Sequence, residues 1–194
     1  MGESIPLLSG VRQGSILAPI LFAVYVDELL SSITDSGLGC HVKHIPLNIF
    51  MYADDLILSS SSVHDLQKMV NICTNSLESL NMKINEKKSI CIKFGPSFVY
   101  LPYKISIASS VIPWSNKLRY LGSNFIAGRH LCCDLHPVKA KFFGALNAIF
   151  GKLGPSPPIH VALSLVFSKC SPILLYGLES LNISKAQQNN IDYI

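Results

Sequence analysis

Two adjacent acids, Asp54 and Asp55, stand between two short apolar runs, Ile49 to Tyr52 and Leu56 to Leu58. Runs of this length are too short for helices, so the pattern predicts a β-hairpin with the acids at its tip. Carboxylates held beside apolar strands lose hydration, and their charge becomes costly unless a cation neutralises it. Hard divalent ions such as magnesium take oxygen ligands of this kind. Aspartate is also at home in a solvated turn, and on spacing alone the two readings stand level.

The neighbouring sequence supplies elements on which such a hairpin can rest. A polar loop, Ser9 to Ser15, leads to Pro19 and to a helix predicted as far as about Leu30, with Leu21, Phe22, Tyr25 and Leu29 on its buried face. Ser62 and Asp65 resemble a helix-capping pair. Behind them Leu66, Met69, Val70, Cys73, Leu77 and Leu80 recur at steps of three and four, which predicts a second helix. Ile90, Ile92 and Phe94 alternate as in a strand. Ile105 and Ile107 face Val111 and Ile112 across an Ala-Ser-Ser turn, and Lys117 to Phe125 is strand-like but broken at Gly122. From His136 the pattern turns helical, with Phe142, Phe143, Leu146 and Ile149 in one segment and Ile159 to Leu175 in the next, parted by the stiff stretch Gly154 to Pro158. The expected class is α+β, with a boundary between Gly128 and Pro137.

An apolar content of 49% is ample for a packed core, and 16 Lys and Arg against 12 Asp and Glu permit a polyanionic partner without demanding one. Crossing a membrane takes about 20 unbroken apolar residues. Ile16 to Val26 is too short, and Val161 to Leu178 is interrupted by Lys169, Ser171 and Pro172. Both are expected to be buried helices, with no membrane partner. No basic patch followed by an apolar stretch opens the chain, so it is expected to be cytoplasmic or nuclear and not secreted. The six cysteines show no CxxC spacing and are expected in the core.

Tyr52-Ala53-Asp54-Asp55 resembles the YxDD signature of reverse transcriptases. Gly10-Val11-Arg12-Gln13-Gly14-Ser15-Ile16-Leu17-Ala18-Pro19-Ile20-Leu21-Phe22 resembles the RQG-x-x-L-S-P-x-L-F block that precedes it in LINE-type, non-LTR retrotransposon enzymes, with Ala18 where Ser is usual. The similarity continues through Leu80-Asn81 to Lys88, through Lys117 to Gly122, and more weakly through Tyr176-Gly177-Leu178-Glu179.

The resemblance implies a partial palm over residues 1–128, an antiparallel sheet packed on helices, and a helical thumb-like region over residues 129–194. It implies an RNA template, a DNA primer and Mg2+, with two-metal nucleotidyl transfer. Asp54 would be a catalytic metal ligand and Asp55 its weaker neighbour. Arg12, Gln13 and Gly14 would lie against template and nucleotide, and Lys87 or Lys88 would assist pyrophosphate departure. Tyr120, Leu121 and Gly122 would support the primer end. As plain local structure, the same residues read as a loop cation, surface lysines and a strand end with a turn glycine.

One part of the family pattern has no counterpart. Its first metal-binding Asp lies several dozen residues before the RQG loop, whereas nine residues precede Gly10 and Glu3 is their sole acid, in surroundings unlike that block. The chain on its own is therefore expected to be an inactive piece of such an enzyme. The alternatives are a non-catalytic nucleic-acid-binding remnant, using Lys139, Lys141 and Lys152, and a decayed chain with exposed apolar surface. A partner supplying the missing Asp in trans is a further route to activity.

Overall fold

The computed structural model describes residues 14–96, 103–181 and 183–194. They form two compact units, one of residues 1–89 with 102–113 and one of 90–101 with 114–194. Helices and small antiparallel sheets occur in both, an α+β organisation.

In the first unit, helix α1 (Ala18–Asp35) has Pro19 in its first turn, where the missing N–H costs nothing. It runs longer than predicted and its buried stripe is shifted: the predicted Leu29 is inside together with Val26 and Ile33, while Leu21 and Tyr25 are exposed. The core made with helix α2 (Val63–Ser79) reaches only the C-terminal half of α1. Ile16, Leu17, Ile20 and Val24 are accordingly exposed, contrary to the expected buried helix. Helix α2 follows its predicted stripe, with Met69, Val70 and Cys73 buried and the Ser62 hydroxyl accepting the Asp65 backbone N–H.

Strands β1 (His41–Val42) and β2 (Ile45–Pro46) form a small hairpin, and β3 (Ile49–Tyr52) and β4 (Asp55–Leu58) form the acid-bearing one. Ile49, Leu56 and Leu58 pack on Leu29, Ile33, Met69 and Cys73. At the base of β3 the Asn48 side chain is 1% exposed, and its amide donates to the carbonyls of Ile33 (3.1 Å) and Leu38 (3.0 Å). Gly39 fits against it only because it has no Cβ, which would lie 2.5 Å from the Asn48 Cβ. Strands β5 (Ile105–Ile107) and β6 (Ser110–Ile112) pair as predicted, and the Gln67 amide on α2 clamps the Ser106 backbone from both sides.

In the second unit, Lys117 to Phe125 is two strands rather than one: β7 (Lys117–Tyr120) turns back at Leu121 and Gly122 into β8 (Ser123–Ile126), which pairs with β9 (Cys132–Cys133). The alternation at Ile90, Ile92 and Phe94 does not make a strand ladder. Cys91 is the buried residue, and only isolated bridges form, Cys91 to Trp114 and Phe94 to Gly128, before Gly95 and Pro96 redirect the backbone. Helix α3 (His136–Leu153) packs Phe142 against Cys170 and Leu174.

The next helical stretch is α4 (Ile159–Leu165), a π-turn (Val166–Cys170) and α5 (Ser171–Leu175). Pro172 cannot donate to the carbonyl four residues back, which accounts for the widened turn before it. A capping box at Ser184 and Gln187 starts α6 (Lys185–Asp192). Ile159–Ser180 is, by length and composition alone, one helical segment apolar enough to cross a membrane, and 11% of its apolar window is buried. That corrects the reading of this stretch as too interrupted and as a buried helix, since Ile159, Leu163 and Phe167 are exposed.

Among the described cysteines all thiols are free, with Cys73, Cys91, Cys133 and Cys170 buried and Cys132 exposed. Burial pushes the Cys73 thiol up to about 12 from an ordinary 9.0. Its contribution to stability is complete below pH 9 and is lost as pH climbs from 9 through 12. Urea unfolding across that range should show falling stability, with a shallower fall in Cys73→Ala. Asn48→Leu, which strands one buried and one half-buried carbonyl, should lower unfolding free energy by about 1–3 kcal/mol in the same assay at pH 7.

Candidate functional site

The acid-bearing hairpin closes in the shortest available way. Tyr52 and Asp55 are directly opposed, so Ala53 and Asp54 alone form the turn. Ala53 takes the left-handed conformation (φ 52°), a region that glycine enters freely and alanine enters at a cost of about 1–3 kcal/mol. The period-two rule then separates the two faces. Ile49, Met51, Leu56 and Leu58 share the inner face; Phe50, Tyr52, Asp55 and Ile57 share the outer one. Phe50 and Tyr52 are 46% and 64% exposed, and both aspartates are exposed.

The expected loss of hydration at the acids does not occur. Apolar packing is confined to the inner face, and the carboxylates meet solvent beside an exposed aromatic pair. The acids occupy separate positions, Asp54 in the turn and Asp55 at the start of β4, so they present their oxygens differently. Among the described residues no group of three or more His, Cys, Asp or Glu is arranged to hold a metal ion. The pair offers carboxylate oxygens at an exposed turn, and no third acid, His or Cys joins it there among the described residues.

The other residues singled out by sequence are dispersed. Arg12 and Gln13 lie outside the described residues. Gly14 has φ 83°, a conformation suited to glycine, and space lies open where its Cβ would be. Lys87 and Lys88 are exposed in a turn, where the Lys88 backbone N–H donates to Asn85. Among the described residues the ion pairs are Lys68–Asp65 and Lys117–Asp134, so neither lysine is paired with the hairpin acids.

Tyr120, Leu121 and Gly122 form the β7–β8 turn in the second unit. Leu121 (φ 46°) and Gly122 (φ 82°) are both left-handed, the geometry of a tight hairpin turn. A Cβ on Gly122 would lie 2.9 Å from the Tyr176 ring. Two sequence segments 54 residues apart are thereby in contact. Asn48, which supports the base of the hairpin, has one signal in the sequence, a lone amide abutting an apolar run.

A family model described as reverse transcriptase (RNA-dependent DNA polymerase) matches residues 2–125. The chain therefore belongs to the reverse transcriptase family, whose members use divalent metal ions in general. Its retrotransposon relatives mark it as a reverse transcriptase of non-LTR elements. It is 32% identical over 133 residues, 64% of its length, to the "Retrovirus-related Pol polyprotein from type-2 retrotransposable element R2DM" of Drosophila melanogaster. It is 27% identical over 98% of its length to the "Retrovirus-related Pol polyprotein from type-1 retrotransposable element R2" of Popillia japonica. A 28% match over 111 residues reaches "Protein P" of Hepatitis B virus genotype D. The chain spans 12% and 27% of the two retrotransposon relatives' lengths. No solved structure matches it significantly.

Substituting Gly122→Ala should destabilise the second unit by about 1–3 kcal/mol, from turn strain plus the ring clash. Adding Tyr176→Ala should recover part of that loss, an interaction that a double-mutant cycle in urea measures directly.

Proposed function

We propose that these 194 residues are the portion of a non-LTR reverse transcriptase that carries the paired acids of its polymerase centre, and that they do not polymerise alone. Residues 1–128 are the palm portion and residues 129–194 the start of the thumb. The observation that carries this reading is the Tyr52-Ala53-Asp54-Asp55 hairpin: its inner face is fixed in the core, its acids are exposed at a two-residue turn, and it lies within the family match.

Asp54 and Asp55 would supply carboxylate oxygens to Mg2+, an ion that commonly binds through one or two carboxylates together with substrate phosphates. The ion's chemistry is to neutralise charge at the phosphates of nucleotidyl transfer. The hairpin's part is to hold two carboxylates at a fixed, hydrated edge. Among the described residues no third acid, His or Cys joins the pair, and on that ground the chain alone is proposed to be silent. RNA template and DNA primer are the proposed partners. Arg12, Gln13 and Gly14 would lie near template and nucleotide, Lys87 or Lys88 would sit by the leaving pyrophosphate, and Tyr120 to Gly122 would support the primer end. Cytoplasmic or nuclear residence belongs to the same proposal.

Charge distribution favours nucleic-acid binding without chemistry as a second reading. The second unit carries nine Lys and Arg against three Asp and Glu, a net +6.

The deciding assay is extension of a DNA primer on an RNA template with Mg2+, run on the chain and on Asp54→Ala and Asp55→Ala. No extension by any of the three, with salt-sensitive RNA binding retained, is the expected result. Extension lost on either substitution would show that a third ligand is present within the chain and would overturn the silent-fragment reading.

A further inference from the structure

The second unit contains a groove of about 570 Å3, bounded by the β7–β9 sheet and the first turns of α3 on one side and by α5 and the short turn after it on the other. Its walls are mostly apolar: Leu135, Val138, Ile173, Leu178 and Leu181 line it, with Pro172 at one side. Gly122 and Tyr176 meet at its edge, and the ring occupies the space that any larger residue at 122 would need. Arg119 and Lys141 also line the groove. Both are exposed, and neither makes an ion pair among the described residues.

A cavity of this size, largely apolar with a few polar groups in its lining, falls within the size range of small-ligand sites. The two cations decide the ligand's charge. A guanidinium and an ammonium beside a low-dielectric wall attract a single anionic group more strongly than either would in open water. The unit's net +6 adds a field of the same sign. The apolar walls decide the ligand's body, because a phosphodiester backbone would leave them unfilled while an aliphatic or aromatic body would cover them.

We infer that this groove binds small amphiphilic anions, molecules with an apolar or aromatic body and one acidic group, the acid held between Arg119 and Lys141. The inference goes beyond the polymerase reading and concerns no residue of the acid-bearing hairpin; Gly122, proposed to support the primer end, lies at the groove's edge but is not one of the two residues that hold the acid.

The test is fluorescence titration of the intact chain with anilinonaphthalene sulfonate, an aromatic anion, and with its uncharged relative N-phenylnaphthylamine. The variants are Arg119→Gln, Lys141→Gln and, as a control on the same helix but outside the groove lining, Lys152→Gln. All three change exposed side chains and should leave the circular dichroism spectrum unchanged. Saturable sulfonate binding should weaken about tenfold in Arg119→Gln and Lys141→Gln, weaken with salt, and remain as in the parent in Lys152→Gln. The uncharged probe should bind all four proteins alike. Equal sulfonate affinity in all four proteins would overturn the proposal, placing the probe on other apolar surface such as the exposed face of α1. An equal loss in Lys152→Gln would also overturn it, as a diffuse charge effect. Stoichiometric displacement of the probe by a DNA oligonucleotide, itself lost in the two groove variants, would make the groove a nucleic-acid surface instead.

Discussion

A single buried amide ties the acid-bearing hairpin to the helix beneath it. Asn48 spends both donors of its side chain on carbonyls at the end of α1 and in the loop that follows. The Ser59 backbone N–H, across the hairpin, donates to its own carbonyl at 2.8 Å. A buried carbonyl without a donor costs more than a hydrogen bond returns, so this junction tolerates few other arrangements. With the base fixed and the inner face packed, the outer face is free to remain wet. The exposure of Asp54 and Asp55 is thus a product of where the anchoring is done, four residues and more below them.

Charge divides unevenly between the two units. The first unit holds seven Lys and Arg against nine Asp and Glu, a net −2, and includes the paired acids; the second is at +6. Exposed acids repel polyanions and a basic surface attracts them, so the two units differ in sign toward any polyanion. The mild overall balance of +4 conceals that division.

Much of this was legible in the residues. The hairpin could be read because strand length, apolar runs and turn acids all pointed one way, and α2 because a cap and a long stripe coincided. Other features depend on partners distant in sequence. Leu21 and Tyr25 have helical spacing as good as that of Val26 and Ile33, and only the reach of the core decides which stripe is covered. Alternation at Ile90 to Phe94 predicted a strand, but a ladder needs a neighbour, and the one present pairs only at isolated positions. Nothing local in Leu47-Asn48-Ile49 shows that the amide turns inward to carbonyls 10 and 15 residues away. The groove is likewise assembled from residues spread over Arg119 to Leu181.

Every ladder between the named strands joins residues no more than nine positions apart. Closing such short loops costs little entropy, and isolated hairpins of this kind form within about 1–10 μs. Ribosomes deliver only about 5–20 residues per second. The turn bearing Asp54 and Asp55 can therefore be zipped, and α2 docked against it, while the helices of the second unit are still untranslated. Synthesis order thus lets the acid-bearing segment be the first to mature.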